Sequence, residues 1–374
     1  MQNNLFIGVM TGTSADGIDI CLTSIENSTF QLIDYLCIDF PANIKSEIKS
    51  LCSPNENEIF KSQSLGIELS LQTAEQINKL LIRNTVSPSD VSAIGYHGQT
   101  IRHHPDAKYP FSTQVGCGST LAHHTKINTI TDFRMADIAA GGQGAPLVPA
   151  FHQAVFHSPN ENRFIINIGG IANITHIPAD LSKAVSGFDT GPGNTLLDEW
   201  IYTHKQKDFD KAGMWAKSGV TSPKLLKLMM KDDYIMKQAP KSTGKEYFNL
   251  SWLHALLKDL PQIKPEDIQC TLTDFTCESI CREIQNLLLS HDQYPSVIYL
   301  CGGGINNIFL IERLNSQLPE LEIKSTSVLG IDPQLVEASA FAWLASRTHS
   351  GKTGNLKGIT GANQDKILGC IYFP

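Results

Sequence analysis

Leu5-Phe6-Ile7-Gly8-Val9-Met10, followed by Thr11-Gly12-Thr13-Ser14-Ala15-Asp16-Gly17-Ile18-Asp19, is the stretch on which the fold turns. It reads as a short hydrophobic strand, a turn rich in glycine and hydroxyl groups, and the start of a second strand. Glycines in such a turn let backbone N–H groups approach an anion closely. Asp16 and Asp19 supply carboxylates for a divalent cation, held directly or through water. Phosphate with a metal means a nucleotide, so the stretch leans toward phosphoryl transfer. A plain tight β-hairpin remains an alternative, because Asp16-Gly17 is by itself a strong hairpin signal.

Working outward, the pattern returns. Arg163-Phe164-Ile165-Ile166-Asn167-Ile168 leads into Gly169-Gly170, and Ile171-Ala172-Asn173-Ile174-Thr175-His176-Ile177 runs back. The echo is in pattern and not in residues. Two hairpins with Gly-rich tips, each opening an α/β half, describe a bilobal fold that grips a nucleotide. A third element fits the scheme. A β-branched strand over 296–300 ends at Cys301-Gly302-Gly303-Gly304 and is followed by an amphipathic helix from Ile308. Such a unit lets a flat ligand or a phosphate approach the backbone. Apolar spacing predicts helices over 57–84, 194–203, 223–230, 250–257, 274–290 and 337–346, and strands over 91–96 and 127–131. The stretch 350–364 reads as a polar, Gly-rich tail.

At 374 residues the chain exceeds the usual size of one core, so two domains are expected. The expected division is an N-terminal lobe over 1–140 and a C-terminal lobe over 141–374, whose last residues return to the first lobe. Hydrophobic residues at 41% and charged residues at 18% are ordinary for a folded protein. A formal net charge of −7 argues against general nucleic-acid binding. No apolar run reaches bilayer-spanning length, and the N-terminus lacks the pattern of a signal peptide. Nine cysteines without framework spacing suit a reducing compartment, so the protein is expected in the cytoplasm, with Cys277 and Cys281 as packed thiols. A homodimer is the expected assembly.

Gly187-Phe188-Asp189-Thr190-Gly191-Pro192-Gly193-Asn194 is the sharpest chemical candidate. Asp189 is placed between a strand end and a helix that Asn194 can cap. A carboxylate held there is able to take a proton from a nucleophile, or else satisfies turn amides. Asp-Thr-Gly also marks aspartic proteases, but a single copy cannot form their paired carboxylates. Gly351-Lys352-Thr353 lacks the upstream glycine of a P-loop and reads as a loop. His103-His104 and His123-His124 have no partners at metal-ligand spacing. His97, at a strand end, is either a site residue or a hydrogen-bonded core residue. Arg134, ahead of Gly141-Gly142-Gln143-Gly144, either clamps a carboxylate or phosphate, or pairs with Asp132 or Asp137.

Taken together, these strings resemble one family closely. Gly12-Thr13-Ser14-x-Asp16-Gly17-x-Asp19, Asp132-Phe133-Arg134, Gly141-Gly142-Gln143-Gly144-Ala145-Pro146-Leu147, Asn167-Ile168-Gly169-Gly170-Ile171-Ala172-Asn173 and Phe188-Asp189-Thr190-Gly191-Pro192-Gly193-Asn194 look like the bacterial anhydro-N-acetylmuramic acid kinases. Cys301-Gly302-Gly303-Gly304 and Glu337-Ala338 fit as well. The resemblance implies an α/β, two-lobed actin-like ATPase fold, a duplicated ribonuclease-H-like core with nucleotide in the interlobe cleft. It implies an ATP- and Mg²⁺-dependent reaction in murein recycling, in which 1,6-anhydro-N-acetylmuramic acid is opened and phosphorylated to N-acetylmuramic acid 6-phosphate.

On that pattern the segment Gly12, Thr13, Ser14, Ala15, Asp16, Gly17, Ile18, Asp19 contacts the ATP phosphates. Gly169, Gly170, Asn173, Gly302, Gly303 and Gly304 join it in nucleotide binding, and Asp189 is the general base. His97, Arg134 and Glu337 are candidates for holding the sugar, with Arg134 the partner of its lactyl carboxylate. Two other functions fit parts of the pattern: an ordinary sugar kinase acting on a free hydroxyl, and a non-catalytic nucleotide-gated interaction protein.

Overall fold

The structure, a computed structural model, describes residues 4–12, 16–26, 29–288 and 293–374. The chain forms two compact units, Met1–Val155 with Leu335–Pro374, and Phe156–Gln334. The boundary expected at 140/141 is thus displaced, and 335–374 belongs with the N-terminal unit. The physical reason is apolar packing. Leu147 and Phe341 share one core cluster, and Phe151 lies against Phe30 and Trp343 at 5.3 and 6.2 Å between ring centroids.

Among the described residues, the first unit is built on β1 (Leu5–Met10), β2 (Gly17–Glu26), β3 (Thr29–Asp39), β4 (Val91–Tyr96), β7 (Thr129–Thr131) and β13 (Cys370–Tyr372). They run in the order β13-β7-β4-β1-β2-β3, and a separate hairpin joins β5 (Gln99–His104) to β6 (Phe111–Val115). β1 pairs antiparallel with β2, Met10 opposite Asp19, and parallel with β4. Because side chains alternate along a strand, both faces of β1 are buried. Ile7 and Val9 join the cluster under α1 (Ala42–Leu51) and α2 (Glu58–Arg83), whereas Phe6 and Met10 join the cluster under α13 (Val336–His349).

Each Leu or Ile buried on the inner face of α2 stabilises by roughly 1.5–3 kcal/mol. On the opposite side α13 lies directly on the sheet, since a Cβ at Gly8 would meet the Ala338 carbonyl at 1.9 Å and one at Gly95 the Phe341 carbonyl at 2.1 Å. α3 (Gly118–Thr125), α4 (Met135–Ala139), α5 (Val148–Phe156) and α14 (Lys357–Thr360) complete the unit.

The second unit repeats the plan. Its sheet runs β10-β9-β8-β11-β12, from β8 (Asn162–Ile168), β9 (Ile171–Ile177), β10 (Ser186–Pro192), β11 (Ser296–Cys301) and β12 (Glu322–Ser325). β8, β9 and β10 form an antiparallel meander, and β11 and β12 add in parallel on the other side of β8. β1, β2 and β3 with β4 and β7 have the same order and the same directions. One ribonuclease-H-like sheet occurs twice, so the weak echo between the two hairpins marks a duplicated fold.

α6 (Thr195–Lys205), α7 (Met214–Lys217), α8 (Pro223–Met229), α9 (Asp233–Met236), α10 (Leu250–Leu257), α11 (Pro265–Leu287) and α12 (Ile308–Gln317) make up the rest. Phe164, Ile166 and Ile168 of β8 pack with Phe275 and Ile280 of α11 in one cluster, where Cys277 and Cys281 are also buried. Among the described residues no helix is long and apolar enough to cross a membrane.

Candidate active site

In the second unit the cross-strand register sets a row of polar side chains. Asn167 on β8 stands opposite Asn173 on β9, which stands opposite Asp189 on β10. Directly opposed residues share a sheet face. Alternation puts this row on the face opposite Ile166, Ile174 and Phe188, which belong to the apolar core. Asp189 therefore sits within a strand and not between a strand and a helix, just ahead of a register shift between Asp189 and Gly191.

The Asn194 side chain does not cap α6 as expected. Its Nδ2 donates to the Ile168 carbonyl at 3.2 Å instead. That helix start is met by the hairpin tip, the Gly169 carbonyl accepting from Asn194 N at 2.8 Å and the Gly170 carbonyl from Gly193 and Thr195 N at 2.9 and 3.1 Å. Gly193 is required there, because a Cβ would meet the Gly169 carbonyl at 2.3 Å.

The glycine string after β11 approaches the same strand ends. Gly302 has φ +82°, and a Cβ on it would meet Asn167 Oδ1 at 2.2 Å; one on Gly304 would meet Ile168 Cγ2 at 2.3 Å. Gly303 is exposed and faces open space. Gly169, Gly170, Asn173 and Gly302 to Gly304 thus gather where the parallel strands β8 and β11 end, the edge at which open α/β sheets bind ligands. Beside Gly170 lie the buried Thr195 hydroxyl and the Lys245 side chain, whose Cε would be 3.1 Å from a Cβ at that glycine.

Asp189 is half-buried and held on several sides. Its Oδ2 accepts from Thr243 N at 3.0 Å, its amide donates to the Lys241 carbonyl at 3.2 Å, and its carbonyl accepts from the Tyr234 hydroxyl at 2.8 Å. Burial pushes its carboxyl up to about 7, the Thr243 N–H pulls the other way, and the nearby Glu246 charge adds to the rise. A carboxylate titrating there is matched to taking up a proton near neutral pH. Thr243, Glu246, Tyr234 and Lys241 escaped the sequence reading. The string Lys241-Ser242-Thr243-Gly244-Lys245, with its hydroxyls, glycine and lysines, is the signal that would have found them.

The first unit holds a second cluster. Arg134 donates from Nε and Nη2 to His97 Nε2, at 3.1 and 2.8 Å, and from Nη1 to the Gly144 carbonyl at 2.8 Å. Accepting at Nε2 requires a neutral imidazole with its proton on Nδ1. Burial and the Arg134 charge accordingly drive His97 well below the usual histidine range. The His97 ring also packs on Phe341 of α13, 4.6 Å between centroids. Glu337, one turn earlier on α13, is pushed up by burial, pulled down by Arg134 and pushed up again by Asp19. Burial lowers Arg134 to about 10 against the pull of Glu337 and Asp137. The structure thus brings His97, Arg134, Glu337 and Asp19 together, and Arg134 directs its own bonds to His97 and the Gly144 loop.

Asp137 serves a different purpose. It is fully buried, accepting from Gly144 N at 2.8 Å, Thr360 Oγ1 at 2.7 Å and Asn355 Nδ2 at 2.5 Å. The stretch 350–364, read as a polar, Gly-rich tail, is tied by this carboxylate to the loop that Arg134 holds.

In the first hairpin, Thr13, Ser14 and Ala15 lie outside the described residues. Gly12 accepts from Gln99 Nε2 at 3.3 Å through its carbonyl. Asp16 is exposed, and its carbonyl accepts from Phe40 N at 2.8 Å. Gly17 is a strand-packing requirement, since a Cβ would meet the Ile38 carbonyl at 2.2 Å. The Ile18 side chain is in the core. Asp19 alternates with it onto the α13 face. Among the described residues no three His, Cys, Asp or Glu gather as a ready-made metal site. Magnesium commonly takes one or two carboxylates plus nucleotide phosphates and water, and the half-buried Asp19 has the chemistry to be one of them.

A duplicated ribonuclease-H-like sheet with glycine tips at its strand ends and a half-buried carboxylate lifted to about 7 fits the class of actin-like phosphotransferases. The family model described as anhydro-N-acetylmuramic acid kinase matches residues 4–374, and the chain belongs to that family. Anhydro-N-acetylmuramic acid kinases of Shewanella pealeana and Shewanella woodyi are each 45% identical to it over 372 residues, covering 100% of this chain and 99% of the relative. Among solved structures, the ADPNP-bound activator of 2-hydroxyisocaproyl-CoA dehydratase from Clostridium difficile is similar at 12% identity and a TM-score of 0.44, over 93% of this chain and 96% of that one. Glucose-bound hexokinase from Schistosoma mansoni is similar at 10% identity and a TM-score of 0.40, over 91% and 86%.

Proposed function

We propose that this chain is an ATP-dependent kinase of 1,6-anhydro-N-acetylmuramic acid, which it opens with water and phosphorylates at O6, yielding N-acetylmuramic acid 6-phosphate and ADP in cell-wall recycling. The observation that carries the mechanism is Asp189, a half-buried carboxylate fixed by the Thr243 N–H and lifted to about 7. A 1,6-anhydro sugar has no free 6-hydroxyl. Water must therefore add at C1 before O6 becomes a nucleophile. Asp189 takes one proton from that water, the hydroxide adds to C1, and the C1–O6 bond breaks. O6 leaves with alkoxide character and attacks the γ-phosphorus, with ADP as the leaving group.

Magnesium, when bound with ATP, neutralises charge on the transferring phosphoryl group, and Asp19 is the better-suited carboxylate. Gly12 to Asp19, with Gly169, Gly170, Asn173 and Gly302 to Gly304, are assigned to the nucleotide. The backbone of Gly303, open on its exposed side, suits close approach of a flat or anionic group. Arg134 is assigned to the lactyl carboxylate, and His97 and Glu337 to the sugar. A neutral His97 supports this, because it orients the guanidinium without competing for the anion. We place the enzyme in the cytoplasm, as a homodimer.

A coupled ADP assay across 1,6-anhydro-N-acetylmuramic acid, N-acetylmuramic acid and N-acetylglucosamine tests the reading. Turnover is expected with the anhydro sugar; activity confined to the free sugars would replace this reaction with ordinary hydroxyl phosphorylation. In ¹⁸O-water the label is expected at C1 of the product, and label in the phosphate contradicts water attack on the sugar.

A further inference from the structure

The stretch 234–243, α9 from Tyr234 onward with the loop after it, supplies Lys241 to a buried ion pair with Glu283 of α11 that no step of the reaction uses. Lys241 is only 5% exposed, and its Nζ lies 2.9 Å from Glu283 Oε1 on α11. The same ammonium faces the carbonyls of Tyr234 and Ile235 at 3.5 and 3.4 Å and lies 5.2 Å from the centre of the Tyr234 ring. Glu283 is buttressed by Asn286 Nδ2 at 3.3 Å. Three acceptors thus surround a group that carries three N–H donors. A buried ion pair of this kind is a weak source of stability, since apolar residues of similar volume often do as well or better. Its position says more than its energy.

The residues that grip Asp189 all come from this one segment. Tyr234 donates to the Asp189 carbonyl, Lys241 accepts the Asp189 amide, and Thr243 donates to the carboxylate. The lysine side chain ties both ends of the segment together and anchors them to α11. We propose that Lys241 and Glu283 are positioning residues for the catalytic carboxylate, setting the placement of the Thr243 N–H against Asp189. The proposal rests on Asp189 being the general base.

The double variant Lys241→Met/Glu283→Met removes both charges together and so avoids stranding one of them. Its kcat with the anhydro sugar is expected to fall about 10- to 100-fold, the loss a misplacement of roughly 1 Å produces, with ATP affinity unchanged. Displacing the Thr243 N–H removes the hydrogen bond that holds the carboxyl down, so the acidic limb of the kcat profile moves to higher pH. The groups facing Asp189 in that profile, Glu246 and Tyr234, are kept. Arg313→Met is the control, since it removes another ion pair on α11, with Asp274 at 3.1 Å, remote from this segment in sequence.

An unchanged kcat and pH profile in the double variant overturns the proposal, as does a loss that Arg313→Met matches with the profile unmoved. Should the double variant not fold, Glu283→Gln, which keeps shape and an acceptor, is read by the same two measures. Asp189→Asn separates this idea from the base assignment. If it retains normal turnover, the base assignment fails; if it is inactive while the double variant is normal, only the positioning role fails. Combined with Asp189→Asn, the double variant is expected to cost nothing further, because the two act as one unit.

Discussion

At the scale of single residues, Asp189 trades stability for reactivity. Its carboxyl titrates near 7 in the folded chain against 3.8 as a free side chain. Above pH 7 the native state therefore carries a charge that the unfolded chain solvates better. At about 1.36 kcal/mol per pKa unit this costs on the order of 4 kcal/mol, shrinking as pH falls from 7 toward 4. Asp189→Asn is expected to raise Tm at pH 8, to raise it less at pH 5, and to lower kcat about 10²–10⁴-fold while ATP still binds. Calorimetric melts at the two pH values and ATP titration check this; an equal Tm at both denies the burial penalty. For the intact enzyme, kcat should fall as pH drops through about 7, because the base is then protonated. Arg134→Lys gives up the two-pronged contact to His97 and the bond to Gly144. Sugar KM should rise about 10-fold or more, in line with 1.5–3 kcal/mol for a charged hydrogen bond, and ATP KM should not.

At the scale of elements, β1, β4 and β8 were legible because each is apolar and runs into a glycine within two residues of its end. α11 was half seen. Its first turns, from Pro265 to Thr273, are rich in threonine, which hides a helix from periodicity, while Thr271 and Thr273 hydrogen-bond back to the carbonyls four residues earlier. β10 was missed as a strand because Gly187, Gly191 and Pro192 read as a turn. Its exposed edge at Asp189 is closed by the Lys241 carbonyl, a partner distant in sequence. The seat of α13 shows the converse, since two glycines carry it. Gly95→Ala drives a methyl into the Phe341 carbonyl. The overpacking should cost about 1–3 kcal/mol, read as a lower Tm in thermal unfolding. An unaltered Tm would mean the helix can move aside.

At the scale of the whole chain, the two units differ in continuity. Phe156–Gln334 is unbroken and owns its apolar core, whereas the other unit takes α13 and the buried Leu368 from the far end of the sequence. Expressed alone, 156–334 is expected to melt cooperatively. Residues 1–155 alone should not, because Ala338, Phe341, Ala342, Leu344 and Ala345 are absent from the core and Asp137 loses Asn355 and Thr360. Circular dichroism melts of both fragments check this. A cooperative melt from 1–155 would show that the returning segment is dispensable.

What the sequence determined by itself was local: glycine tips between apolar strands, a carboxylate in a Gly-rich string, and enough ordered motifs to place the family. These are properties of neighbouring residues, and short-range sterics and hydrogen bonding carry them. Only the tertiary structure decided that Asp189 meets Thr243 and Lys241, that Glu337 joins Arg134 and His97, and that the return to the first unit begins as early as Leu335 rather than with the last residues alone. Each of those contacts spans dozens to hundreds of residues. Burial of apolar faces chooses such pairings, and no local pattern announces them.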